Sequence, residues 1–88
     1  MEAETMRKKL RISSTALDEE IMDNISACKI DMERAGVVNT PDKAIKLYDK
    51  AIELYCKWQF DFRGKGEEYR KNYEATRDAM SLSSFKEV

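Results

Sequence analysis

Three glycines and one proline, Gly36, Gly64, Gly66 and Pro41, are the only strong breakers of regular structure in this 88-residue chain. So few breaks leave room for few turns, and most of the chain must lie in long regular elements. Between them the sequence is dominated by Ala, Lys, Glu, Met, Leu and Arg, all good helix formers. No stretch alternates apolar and polar residues as a half-buried strand does. At 42% apolar and 38% charged residues, the chain is hydrophobic enough to fold, where disorder needs less. Its length gives one domain near the lower end of sizes that fold unaided.

Apolar spacing divides the chain into four helices. The first spans residues 3 to 12, with Ala3, Met6 and Leu10 on one side and Arg7, Lys8, Lys9 and Arg11 on the others. Ser13, Ser14 and Thr15 then offer capping hydroxyls, with Thr15 three residues before Asp18 in a loose capping-box arrangement. The second helix repeats Leu17, Ile21, Ile25, Cys28 and Met32 at intervals of three and four, and Gly36 is placed to end it as a left-handed cap. Thr40-Pro41-Asp42 reads as the start of a third helix running to about Phe62. Apolar residues cover several of its faces, so it is expected to be long, central and buried on several sides. After the Gly64 and Gly66 break, a fourth helix carries Tyr69, Tyr73, Thr76 and Met80 on one stripe. The expected architecture is all-α: a small four-helix array over residues 1–80, with neighbouring helices largely antiparallel, and a flexible tail over 81–88.

Most notable in chemistry is ELYCKWQFDFRGKGEEY, residues 53 to 69, which gathers Tyr55, Trp58, Phe60 and Phe62 within eight positions. Helical aromatic stripes serve as core, yet Tyr, Trp, Phe and Met are also the residues enriched in interface cores. A domain of this size gains only about 3–5 kcal/mol from its own core and often leans on disulfides, metal or association. The first two have no sequence support here. The inner half of this stretch is therefore expected to pack the domain, and its far end to meet a neighbouring subunit.

The sequence offers little for catalysis. It has no histidine, the commonest acid–base group near neutral pH. Cys28 and Cys56 lack CxxC spacing and further ligands for zinc. They read as buried free thiols, and a disulfide between them requires that their helices bring them into register. The carboxylates lie scattered along helix faces expected to be wet. RGKGE places glycines around a lysine, but a phosphate loop needs GxxxxGK[ST] after a strand, and here the glycines follow a helix. No cofactor is expected and no enzyme. A formal net charge of −1 gives no general attraction to nucleic acid or anionic membrane, so electrostatic arguments rest on local patches. No apolar run approaches the roughly 20 residues of a membrane span, and the charged start MEAETMRKKLRI lacks the apolar segment of a signal peptide. The expectation is an intracellular protein.

Three stretches carry a resemblance to a known family: KKLRIS, ALDEEIMDNISACKIDMERAGV and KAIKLYDKAIELYCKWQFDFRGKGEEYRKNYEATRDAM. Together they resemble the head–tail connector, or head-completion adaptor, proteins of tailed bacteriophages and prophages, some of which are called phage DNA-packaging proteins. The LRIS–LDEEI combination and the ELYCKWQFDFRGKGE block carry most of the likeness, which runs from about Met6 to Met80. The resemblance implies a non-enzymatic structural subunit that closes into a ring, commonly dodecameric, beneath the portal protein. Such a ring extends the DNA channel and presents a platform for a stopper or tail-completion protein. It implies assembly in the bacterial host cytoplasm and residence at the virion head–tail joint. A cyclic ring needs two different contact surfaces per subunit; Tyr55, Trp58, Phe60 and Phe62 are candidates for one. Arg7, Lys8, Lys9 and Arg11, or Arg63 and Lys65, are candidates for transient, sequence-blind contact with DNA in the channel. Leu82 and Phe85 are candidate anchors of a tail that orders against the portal. The alternative is a DNA-binding accessory of packaging acting with the terminase, favoured by the basic cluster before the second helix and disfavoured by that helix's acidic start. A helical scaffold module unrelated to phages is the plainest remaining account.

Overall fold

The computed structural model describes residues 2–38, 40 and 42–82. It is all-α, with four helices: α1 (Ala3–Lys9), α2 (Asp18–Arg34), α3 (Ile45–Gln59) and α4 (Gly66–Ser81). Short 3-10 turns at Asp42–Ala44 and Phe62–Gly64 lead into and follow α3. There is no strand among the described residues.

The termini of the helices are set by local backbone chemistry. At the end of α2 the Val37 N–H donates to the Met32 carbonyl at 2.9 Å and the Gly36 N–H to the Glu33 carbonyl at 3.0 Å. Gly36 has φ +97°, and Val37 is buried beside this turn. That is the double-bonded left-handed stop expected at Gly36, and its apolar residue locks onto the core. The end of α1 repeats the same pair of bonds, Ile12 N–H to the Arg7 carbonyl and Arg11 N–H to the Lys8 carbonyl. Here the left-handed position is held by Arg11, φ 58°, so α1 stops at Lys9 rather than running to residue 12. The hydroxyl cap expected at Thr15 does not form: α2 has no side-chain cap, and the Ser14 hydroxyl instead accepts from the Ala16 N–H at 3.0 Å.

The third helix corrects the expected architecture. It has 15 residues against 17 in α2 and 16 in α4, so it is central but not long. At its start Asp42–Ala44 winds as a 3-10 turn, and Ala44, with φ −108° and ψ 6°, separates that turn from the α-helix. Pro41 lies outside the described residues. At the other end Asp61 adopts φ 47° and breaks the helix two residues after Gln59, before Phe62. The Asp61 carboxylate then accepts the Gly66 N–H, the first of α4, at 2.8 Å. One aspartate thus closes α3 and opens α4.

α3 packs along α4 and α2, and α1 lies on α2. Met6, Ile21, Ile25, Cys28, Met32, Ala51, Ile52, Cys56, Tyr73 and Met80 form the core. The expected stripes of α2 and α4 point into it, apart from Leu17, which is exposed, and Thr76, whose hydroxyl donates to the Asn72 carbonyl of its own helix. The fourth-helix tyrosine Tyr73 is wholly buried, and its hydroxyl donates to Asp31 Oδ2 at 2.6 Å across to α2.

Candidate functional site

Two surface features stand out. The first is a groove of about 500 Å³ lined by Lys8, Lys9, Arg11, Lys57, Phe62, Arg63 and Tyr69. Helix α1 supplies Lys8 and Lys9 from its last turn, where cations are favoured by the helix dipole, and the left-handed stop projects Arg11. Arg63, also left-handed at φ 56°, comes from the turn between α3 and α4. The fold therefore joins two basic clusters that lie some fifty positions apart in sequence. Of the candidates for DNA contact, Lys8, Lys9, Arg11 and Arg63 line this groove. Arg7 does not: it is turned to Asp18, Nε to Oδ1 at 2.7 Å, and fastens α1 to the start of α2. Lys65 is exposed just before α4 but does not line the groove.

Behind the groove sits Glu53, only 8% exposed. Lys57 lies 2.9 Å from it, Lys9 3.4 Å and Lys50 3.7 Å. Burial alone would raise its pKa, but the hydrogen bond from Lys57 and the charges of Lys57, Lys50 and Lys9 outweigh that and hold it below the ordinary carboxylate value. Glu53, one of the carboxylates expected on wet helix faces, is instead half-inside, with Lys57 reaching it along α3 and Lys9 reaching it from the end of α1. Lys57 also stands over the rings of Phe62, at 5.0 Å, and Tyr69, at 5.6 Å, and Arg63 covers Phe62 at 5.2 Å. These cation–π contacts hold the cations above an aromatic floor.

The second feature is apolar and lies at the other end of α3. A groove of about 420 Å³ is bordered by Ile30, Val37, Val38, Ile45 and Tyr48, with Lys29, Glu33 and Thr40 on its rim. Ile30 is 53% exposed and Ile45 45% exposed; Val38 and Leu47 are also open. The third helix is expected from its several apolar faces to be buried on several sides; the structure leaves Ile45 and Leu47 near its start open. Ile30 follows the α2 core residue Cys28 by two positions and so falls off its stripe, which is the signal that would have marked it as exposed.

The aromatic set expected at a subunit interface is half-buried. Tyr55, Trp58, Phe60 and Phe62 all pack against the core. Tyr55 meets Trp58 edge-on at 5.3 Å and Tyr73 at 5.2 Å, Trp58 lies 6.2 Å from Tyr73, and Phe62 lies 6.2 Å from Tyr69. These rings mostly join α3 to α4. Leu82, the cap of α4, is 83% exposed; Phe85 lies outside the described residues.

Cys28 and Cys56 are free, buried thiols. Burial pushes both pKa values up to about 12, with the Cys56 charge adding to that of Cys28 and a Tyr73 hydrogen bond opposing it. Such thiols are poor nucleophiles. Among the described residues there is no group of three or more metal-ligating side chains, and no helix is long and apolar enough to cross a membrane. Comparison of the chain with protein-family models, with curated proteins and with solved structures finds no match.

Proposed function

We propose that this chain is a non-enzymatic assembly subunit of the head–tail connector kind, one that associates with copies of itself beneath a phage portal and offers a platform to a stopper or tail-completion protein. The observation that carries the reading is the open apolar groove around Ile30, Val38 and Ile45. Contiguous apolar surface of this sort marks an interaction site on a small soluble domain. The sequence likeness of the LRIS–LDEEI and ELYCKWQFDFRGKGE stretches supports the choice of connector among helical assembly proteins. In a ring, the groove of one subunit takes up a different face of the next, as a heterologous contact requires. The half-buried outer edges of Trp58 and Phe60, at the opposite end of α3, supply a face of that second kind.

The test is mass in solution together with electron micrographs, for the full chain alone and mixed with portal protein. Ring-shaped particles on portal, abolished by Ile45→Asp with helical content retained, are the expected result. A chain that stays monomeric with portal at the highest attainable concentration, or an Ile45→Asp variant that assembles unchanged, removes the reading.

A further inference from the structure

The basic groove between α1 and the α3–α4 turn goes beyond the assembly reading and stands on its own geometry. We infer that it is a binding site for the phosphodiester backbone of nucleic acid, read without regard to base sequence. Three observations converge on it.

The first is charge. Five cations and no carboxylate line the groove; Glu53 pairs with Lys57 and Lys9 from its buried position, and Glu4 lies 3.8 Å from Lys8 in an exposed pair. In a chain of net charge −1, this is a local excess of positive charge facing outward. The second is that its two arginines are unspent: neither Arg11 nor Arg63 has an ion-pair partner among the described residues, whereas Arg7, Arg70 and Arg77 are each paired with a carboxylate. A guanidinium fork matches phosphate oxygens in geometry as well as charge. The third is backbone conformation. Arg11 and Arg63 both occupy the left-handed region, φ 58° and 56°, where glycine is favoured and a larger residue costs stability. Glycine at either site would relieve that cost, so the arginines are kept at the expense of stability, a pattern associated with functional positions.

The walls favour phosphodiester over an acidic peptide. Acidic peptides can be taken by arginine clusters, but peptide and protein interfaces draw most of their energy from a few anchors that fill desolvated pockets. The only apolar surfaces here are the rings of Phe62 and Tyr69, and Lys57 and Arg63 already cover them. What remains is a polar trough of three lysines and two arginines, suited to a repeating anionic chain. The groove belongs to no helix long enough to fill a major groove and acts as a phosphate-contacting surface, the class of contact that positions without specifying sequence.

The experiment is fluorescence anisotropy with a labelled 20-base-pair duplex of mixed sequence and a labelled oligothymidine of the same length, between 50 and 200 mM salt. Each phosphate neutralised contributes about −0.9 to the slope of log affinity against log salt on duplex, so four contacts weaken binding about 100-fold over that range. The double variant Arg11→Gly/Arg63→Gly is expected to fold at least as stably as the parent, to weaken binding about tenfold or more at 50 mM, and to flatten the duplex slope by about 2. The charge-matched control Lys46→Gln/Lys71→Gln, at exposed positions outside both grooves, is expected to keep the parent slope. Binding of either oligonucleotide with these properties supports the site, and the two probes tell duplex from single strand as its source. No binding to either at 50 mM, a double variant that binds like the parent, or polyglutamate that displaces DNA at equal charge concentration overturns it.

Discussion

The Tyr73 hydroxyl on α4 donates to Asp31 Oδ2 on α2 at 2.6 Å, while the Tyr73 ring is wholly buried. The same oxygen accepts from Arg77 Nη1 at 3.0 Å. Burial and the bond to Asp31 raise the pKa of the phenol, with Cys28 beside it adding to the effect. A phenol held neutral is a dependable donor, so this contact, together with the Arg77 ion pair to the same oxygen, fastens α4 to α2. Tyr73→Phe keeps the ring and removes the donor. A hydrogen bond to a charged group contributes about 1.5–3 kcal/mol. The Asp31 side chain is 40% exposed, so water and Arg77 satisfy it in the variant, and the expected loss is about 1–1.5 kcal/mol, at or below the bottom of that range. Urea unfolding with an unchanged m-value checks it. Tyr73→Ala, which empties a fully buried site, is expected to cost about 3–5 kcal/mol.

Acid is expected to loosen the fold through two carboxylates. For Asp31, burial acts to raise the pKa, but hydrogen bonds from Tyr73 and Arg77 and the charges of Arg77 and Arg34 outweigh it and leave a value below the ordinary 3.8. Glu53 is likewise held below its ordinary 4.5 by its lysines. A folded-state pKa below the unfolded one means that the unfolded chain takes up protons first. The stabilisation is therefore fully present above the ordinary values and is lost as pH falls through the lower folded ones. Melting temperature should be flat from pH 7 to about 5 and decline below about 4.5. Glu53→Gln should flatten part of that decline while lowering the plateau.

The four helices were legible because their core spacing is regular and their breakers are few: the Gly36 stop and the stripes of α2 and α4 follow directly from residue type. Two features were not. The early stop of α1 depends on Arg11 taking a conformation that residue type disfavours, and the split at Ala44 has no residue-level signal at all. The basic groove was legible only as two separate clusters, since their meeting depends on how α1, packed on α2, sets its last turn beside α3. Lys57, which also lines it, belonged to neither cluster. The exposed groove was hidden at Ile45, because apolar residues on several faces of α3 look the same in sequence whether the faces are covered or open, while the off-stripe position of Ile30 was a legible sign of exposure.

Gly66 is fixed by a close approach. A Cβ at this position would lie 2.7 Å from Asp61 Oδ1 and 3.2 Å from the Trp58 carbonyl oxygen. Alanine ordinarily favours a helix by about 1 kcal/mol over glycine, yet here it would push away the carboxylate that accepts the first N–H of α4. Gly66→Ala is expected to lower stability by about 1–2 kcal/mol net, the range for a lost helix cap. Asp61→Ala should cost about as much, and the double variant little more than either single change, because both act on one bond. Thermal unfolding of the four proteins tests that coupling.

Cys28 and Cys56 should resist a thiol reagent at pH 8 in the folded protein. Both are buried, with pKa values pushed up to about 12, so almost no thiolate exists and none is accessible. Modification then has to await opening of the α2–α3–α4 core, and its rate should follow global stability. Tyr73→Phe, weaker by about 1–1.5 kcal/mol, should react about 5- to 12-fold faster when opening and closing outpace labelling. Arg11→Gly, relieved of its left-handed strain and more stable by about 0.5–1 kcal/mol, should react about 2- to 5-fold more slowly. Equal labelling rates in the three proteins would mean that the thiols are reached by a local fluctuation instead, and that the contact between Tyr73 and Asp31 does not guard them.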